Sequence, residues 1–139
     1  MIDPLQAATR VAGAGLEAQS VRLRVVSENL ANAHSTGAVP GSDPYRRKTV
    51  TFVSEFDQLL GAASVDVRAI GRDDSPFAVT HDPGNPAADA DGNVKLPNVN
   101  MLIEMADLRE ASRSYEANLQ MVKQTRAMTT LMLELLRNR

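Results

Sequence analysis

The sequence contains no cysteine and no tryptophan. Without Cys there is no disulfide framework, no thiolate metal site and no thiol nucleophile. Aromatics are scarce, two Tyr and three Phe in 139 residues. Ala, Val, Leu and Met carry the apolar content instead, and they suit helix–helix seams better than a large globular interior. Neither sign of charge dominates: 15 basic residues face 17 acidic ones, for a net −2. That balance gives no electrostatic footprint for nucleic acid. No stretch approaches the roughly 18 consecutive apolar residues that a membrane helix needs. Met1-Ile2-Asp3-Pro4-Leu5-Gln6 has no early positive charge and no apolar segment, so no Sec-type cleaved signal is expected.

Chemistry-bearing constellations are equally sparse. The two His stand at 34 and 81. His34 fits a helix end and His81 a loop, and neither pairs with a nucleophile and a carboxylate in a triad pattern. Asp89-Ala90-Asp91-Gly92-Asn93 has a calcium-loop flavour, but with Gly92 at position six the frame places Ala87 first and Asn98 last. Both positions call for acidic ligands, so a turn is the better reading. Asp73-Asp74-Ser75-Pro76 likewise reads as a turn. Gly13-Ala14-Gly15 follows no strand and is no phosphate loop. No catalytic, cofactor or metal site is expected. Arg46-Arg47-Lys48 reads as a solvated strand or a subunit contact.

Periodicity and punctuation divide the chain at 1–37, 38–97 and 98–139. The first segment is predicted helical over about residues 4–34. Asp3 is a good N-cap, Pro4 suits the first helical position, and Gln6 completes a possible capping box. Gly37 is placed for a left-handed cap. A stripe with alternating steps of four and three runs Leu5, Thr9, Ala12, Leu16, Gln19, Leu23, Val26, Leu30, Ala33, as in a coiled-coil seam. Gly13-Ala14-Gly15 weakens that helix by about 1 kcal/mol per Gly, and it permits close approach of another backbone.

The last segment is predicted helical over about residues 100–137, capped by Asn98 or Asn100. Glu104 and Asp107 near its start and Arg137 and Arg139 at its end suit the helix dipole. Its stripe is Met101, Met105, Leu108, Ser112, Tyr115, Leu119, Val122, Arg126, Thr129, Leu133, Leu136. Met121, Met128, Leu131, Met132 and Leu135 lie outside it. One partner helix cannot cover both sets, so the excess points to oligomerisation.

The middle holds six of the seven Pro. Strands are expected over residues 45–53, 64–70 and 77–80, and a loop over 82–92. The fold class is mainly α: two long helices paired as a coiled-coil-like hairpin, about 45 and 55 Å long, with a small β-containing middle. Such a monomer buries little surface, so its termini are expected to order on assembly.

The segment Glu28-Asn29-Leu30-Ala31-Asn32-Ala33-His34-Ser35-Thr36-Gly37 resembles the motif that ends the N-terminal helix of flagellar axial proteins, the rod, hook and hook-associated subunits. Asn29, Asn32, Thr36 and Gly37 are the matching positions. Asn and Thr side chains there satisfy backbone groups at a helix end. Pro44-Tyr45-Arg46-Arg47-Lys48, Asp74-Ser75-Pro76-Phe77, residues 82–89, Pro97-Asn98-Val99-Asn100, Glu104-Met105 and residues 113–118 extend the resemblance to the proximal-rod branch. Asn93 departs from it, where a Tyr is more usual.

The resemblance implies a structural subunit of the proximal rod of the bacterial flagellar basal body, assembled by helix packing into a hollow, torque-transmitting shaft. It implies export through the flagellar type III apparatus without cleavage, into the periplasm. The implied partners are further copies of itself, the rod subunits FlgB, FlgF and FlgG, and the adaptor FliE, with no nucleic acid and no direct membrane insertion. On the residues alone, Leu16, Leu23, Val26 and Leu30 of the first helix and Tyr115, Leu119, Val122, Leu133 and Leu136 of the second are the candidate subunit interface. A monomeric helical adaptor or export chaperone remains the alternative.

Overall fold

The computed structural model describes residues 4–58 and 61–138. The expectations for Met1, Ile2, Asp3 and Arg139 lie outside them. The elements run α1 (Pro4–Ala31), β1 (Lys48–Asp57), β2 (Ala62–Arg72), β3 (Ala78–His81), β4 (Asn93–Leu96) and α2 (Met101–Arg137). The strands form two two-stranded sheets, β1 with β2 and β3 with β4. The second pairing is antiparallel, from Ala78 opposite Leu96 to His81 opposite Asn93.

Local chemistry explains the helix ends. Pro4 opens α1, where a missing N–H costs nothing. The helix stops at Ala31, short of the expected residue 34. Asn32 Nδ2 donates to the Glu28 carbonyl at 2.8 Å, and Ser35 Oγ donates to the Asn32 carbonyl at 2.9 Å. These side chains take up the last carbonyls and end the helix. At the start of α2, Asn100 is the cap: its Oδ1 accepts from Leu102 N at 3.0 Å and Ile103 N at 3.3 Å, as an N-cap does.

The residues cluster into two compact units. The first comprises Met1–Leu23, Thr51–Ala69 and Glu110–Arg139. Within it α1 and α2 run antiparallel. A Cβ on Gly15 would stand 2.8 Å from the Asn118 amide, and seven residues further along α1, Arg22 pairs with Glu110 at 3.5 Å. The innermost positions are small: Ala12, Gly15 and Ala18 on α1 and Ala111 on α2. Gly15 therefore accommodates a close helix approach, whereas a Cβ on Gly13 would meet nothing within 4 Å. Glu55 of β1 and Ser64, Val65 and Asp66 of β2 share a hollow with Ala14, Glu17 and Ala18.

The second unit comprises Arg24–Val50 and Ile70–Arg109. Its apolar core is slight: Val25, Val26, Ala33, Ala87 and Val94 are its buried hydrophobic residues. Two polar side chains lie among them, Asn29 and Glu104, both essentially without solvent contact. Where apolar area is this limited, hydrogen bonds must hold the elements in place.

Candidate assembly surface

Asn29 sits on the last turn of α1 and spends all four of its hydrogen-bonding positions. Its Oδ1 accepts from Lys48 N at 2.9 Å and from the Tyr45 hydroxyl at 2.8 Å. Its Nδ2 donates to the Lys48 carbonyl at 2.9 Å and to Glu104 Oε2 at 3.1 Å. The exchange with both backbone groups of Lys48 mimics a β-ladder pair, which a planar carboxamide alone among side chains can do. Asn29 is thus no helix-end cap, contrary to the expectation from the motif. It reaches 19 residues along the chain to start β1.

Asn98 does the matching work on the neighbouring residue. Its Oδ1 accepts from Arg47 N at 2.8 Å, and its Nδ2 donates to the carbonyls of Asp73 at 2.9 Å and Ser75 at 3.1 Å. Asp73 N donates in turn to the Arg47 carbonyl at 2.9 Å. Two side-chain amides and one backbone bond therefore pin residues 47 and 48 against the end of β2.

Arg47 completes this latch. Its Nε donates to Glu104 Oε1 at 2.6 Å, and its Nη1 lies 3.5 Å from Asp73 Oδ2. Burial opposes the guanidinium charge, but the Glu104 hydrogen bond, then the charges of Glu104 and Asp73, outweigh it, so its pKa rises. Asp73 is pulled below its ordinary range first by the Ser75 hydroxyl and backbone N–H, then by Arg47. That Asx turn is the one the sequence suggested at Asp73-Asp74-Ser75-Pro76. Lys48 faces away and pairs with Glu28 at 2.7 Å.

The other motif positions divide. Asn32 does bond at the helix end. Thr36 is exposed. Gly37 does not adopt the left-handed conformation expected of it; positive φ occurs at Gly41, Gly61 and Gly92 among the described residues. A Cβ on Gly37 would instead collide with Ser42, 2.6 Å from its carbonyl oxygen. The need there is for space. In the loop at 89–93, Asp89 Oδ1 accepts from Asp91 N at 3.0 Å and Asn93 N at 2.8 Å. These bonds make the carboxylate a turn-former. Among the described residues no cluster of three or more metal-ligating side chains exists. His34 lies in the turn after α1, and His81 ends β3 beside Asn93.

The candidate interface residues fall into three settings. Val26 is buried within the second unit, and Leu30 there is half-buried. Leu16, Leu23, Tyr115, Leu119 and Val122 are half-buried in the first unit. Leu133 and Leu136 are exposed, and they are not alone. Met128, Leu131, Met132, Leu133, Leu135 and Leu136 are each between 51% and 72% exposed. Thr125 is the last buried residue of α2. Beyond it the helix presents these apolar side chains over a broad arc, with Arg126, Thr130, Glu134 and Arg137 on the opposite face, and the arc is far larger than scattered exposed residues account for.

The comparisons with known proteins meet this geometry. A family model described as "Flagella basal body rod protein" matches residues 10–38, and one described as "Flagellar basal body rod FlgEFG protein C-terminal" matches residues 90–135. The flagellar basal-body rod protein FlgC of Agrobacterium fabrum is 60% identical over 136 residues, covering 98% of both chains. The chain belongs to the FlgC family of flagellar basal-body rod proteins. FlgC of Salmonella typhimurium is 41% identical over 118 residues, covering 85% of this chain and 87% of its own. FlgC of Bacillus subtilis is 40% identical, covering 90% and 93%.

FlgC-family membership makes this a flagellar basal-body rod subunit, a structural protein and not an enzyme. The two family-model matches cover most of α1 with the turn after it, and β4 with most of α2. Among the described residues no helix is long and apolar enough to cross a membrane. The latch residues Tyr45, Arg47, Asn98 and Glu104 were not singled out as a site in the sequence. Their signal was present in the quoted motifs Pro44–Lys48, Pro97–Asn100 and Glu104-Met105, whose meeting depends on the tertiary fold.

Proposed function

We propose that this FlgC-family chain is a proximal-rod subunit whose work is done by helix seams. Copies of it pack with one another and with FlgB, FlgF, FlgG and FliE, forming a hollow shaft that transmits torque. It reaches the periplasm through the flagellar type III apparatus. Pairing of α1 with α2 as a coiled-coil-like hairpin supplies the inner layer. Leu16, Leu23, Val26, Leu30, Tyr115, Leu119, Val122, Leu133 and Leu136 lie along the seams. The observation that carries this reading is the bare apolar end of α2 from Met128 to Leu136. An exposed apolar arc wider than one partner helix covers demands more than one neighbour, and its Met and Leu side chains adapt to several non-identical ones.

The test is assembly in a flagellated host. Leu23→Asp and Leu119→Asp each set a charge into a seam, where it is strongly disfavoured. Both variants are expected to be exported in normal amounts, yet to leave cells without completed rods and non-motile. Normal swimming by both variants overturns the seam assignment.

A further inference from the structure

The basic run Arg46-Arg47-Lys48 splits by alternation. Arg47 turns inward to Glu104, while Arg46 and Lys48 turn to the other side, as successive residues of extended chain do. There they line a cleft of about 320 Å³ with Asp43, Tyr45, Arg72 and Phe77. Arg46 is fixed in place. Its guanidinium carbon lies 4.3 Å from the centroid of the Phe77 ring, and Nη1 donates to the carbonyls of Asp73 and Ser75 at 3.2 and 3.4 Å. Tyr45 is tied down by Asn29.

The charges of this cleft are unequally satisfied. Lys48 is held by Glu28, and Asp43 is held by Lys95 at 2.8 Å. Neither Arg46 nor Arg72 has a carboxylate within ion-pair distance among the described residues. Arg72 stands near enough for its charge to act on both Tyr45 and Lys48. Two guanidinium groups are therefore held at one cleft, one of them immobilised, and Asp43, the carboxylate lining it, is already engaged by Lys95 and lies near enough for the charge of Arg46 to act on it as well. Like charges so placed repel, and a stacked, preorganised guanidinium is the geometry that receives a carboxylate.

We propose that this cleft is a docking subsite for an acidic side chain of an adjoining rod subunit, with Arg46 and Arg72 as its two receiving groups. The proposal rests on the rod-subunit reading and adds an electrostatic contact to its apolar seams. Charge complementarity identifies the occupant. An apolar or basic side chain leaves both guanidinium groups unpaired, whereas a Glu or Asp carboxylate neutralises them over the aromatic floor of Tyr45 and Phe77. A contact of this kind orients a neighbour more than it adds raw affinity.

Two measurements on the full chain test it. In the first, the Arg side-chain resonances of the purified protein are followed while a blocked peptide with a single Glu is added. The Glu peptide is expected to shift Arg46 and Arg72 and its Gln counterpart to leave them unmoved. Arg72→Ala should weaken the effect about tenfold. Inorganic phosphate is titrated in parallel, and shifts produced by phosphate but not by the Glu peptide overturn the assigned occupant. In the second, Arg72→Glu is placed in a flagellated host beside Leu119→Asp. Arg72→Glu is expected to melt like the wild type, to be exported, and to cut completed rods at least tenfold, with Arg72→Lys restoring part of the loss. Rods at wild-type frequency with Arg72→Glu refute the cleft proposal alone. Rods at wild-type frequency with both variants refute the rod reading beneath it.

Discussion

Removing the cation of the latch should cost more than removing its anion. Glu104 has no exposed side-chain surface, whereas Arg47 keeps 24% of its own. In Arg47→Met the buried carboxylate loses its 2.6 Å partner and keeps only the neutral amide of Asn29. Breaking a buried ion pair from one side costs about 3–5 kcal/mol, because the remaining charge is stranded. Residual exposure of Arg47 sets the expected value at the lower end, about 3 kcal/mol. In Glu104→Leu the guanidinium keeps Asp73 and extends toward water, so the expected loss is about 1–2 kcal/mol. The double variant strands no charge and should return to within about 1 kcal/mol of the wild type. Urea denaturation followed by far-ultraviolet circular dichroism measures all four proteins. Even if Arg47→Met fails to fold, recovery in the double variant reads out the coupling. A cost below about 1 kcal/mol for Arg47→Met, or a double variant as unstable as the two single losses added together, refutes a stranded buried charge.

The two glycines of α1 should respond differently to alanine. Gly13→Ala adds a methyl into open space and should stabilise by about 0.5–1 kcal/mol through helix propensity. Gly15→Ala must displace the Asn118 amide, 2.8 Å away, so its gain should be cancelled or reversed; thermal melts that rise equally for both contradict the close approach. Acid should loosen the second unit. Glu28 is held below its ordinary value first by its hydrogen bond to Lys48, Asp43 by that to Lys95, and Asp73 by those to Ser75. A depressed folded value means that the unfolded chain takes up protons first. The stabilisation is therefore full above the ordinary carboxylate range near pH 4 and is lost as pH falls through the lower folded values. Urea midpoints measured from pH 6 to pH 2.5 should decline over that window, and the decline should flatten when Asp73 and Asp43 are both replaced by Asn.

The helices were legible because their signals are local. Pro4 and Asn100 mark starts, and the four-three spacing of apolar residues extends far enough to be unambiguous. The innermost face of α1 was legible in part: Ala12 stands in the stripe and Gly13-Ala14-Gly15 signals a close approach, made at Gly15, but hydropathy favours large side chains such as Leu16 and Leu23, which are half-buried, over Ala18, which lies innermost. Strand β1 begins at Lys48 and not at 45; just before it, Arg47 N donates to the Asn98 side chain and not to a neighbouring strand. Strand β4 was missed altogether. Its four residues follow a loop, and only pairing with β3 makes them a strand. Glu104 shows the limit most clearly. On its own helix it is an ordinary first-turn carboxylate, and only partners 57 and 75 residues away place it in the interior.

The central claim is that the bare end of α2 is an assembly seam. An image reconstruction of isolated basal bodies at side-chain resolution tests it most directly. Met128, Leu131, Met132, Leu135 and Leu136 are expected to be enclosed by helices of neighbouring rod subunits, with Leu133 at the same interface. Finding that stretch of α2 facing water, with subunits joined through other surfaces, contradicts it.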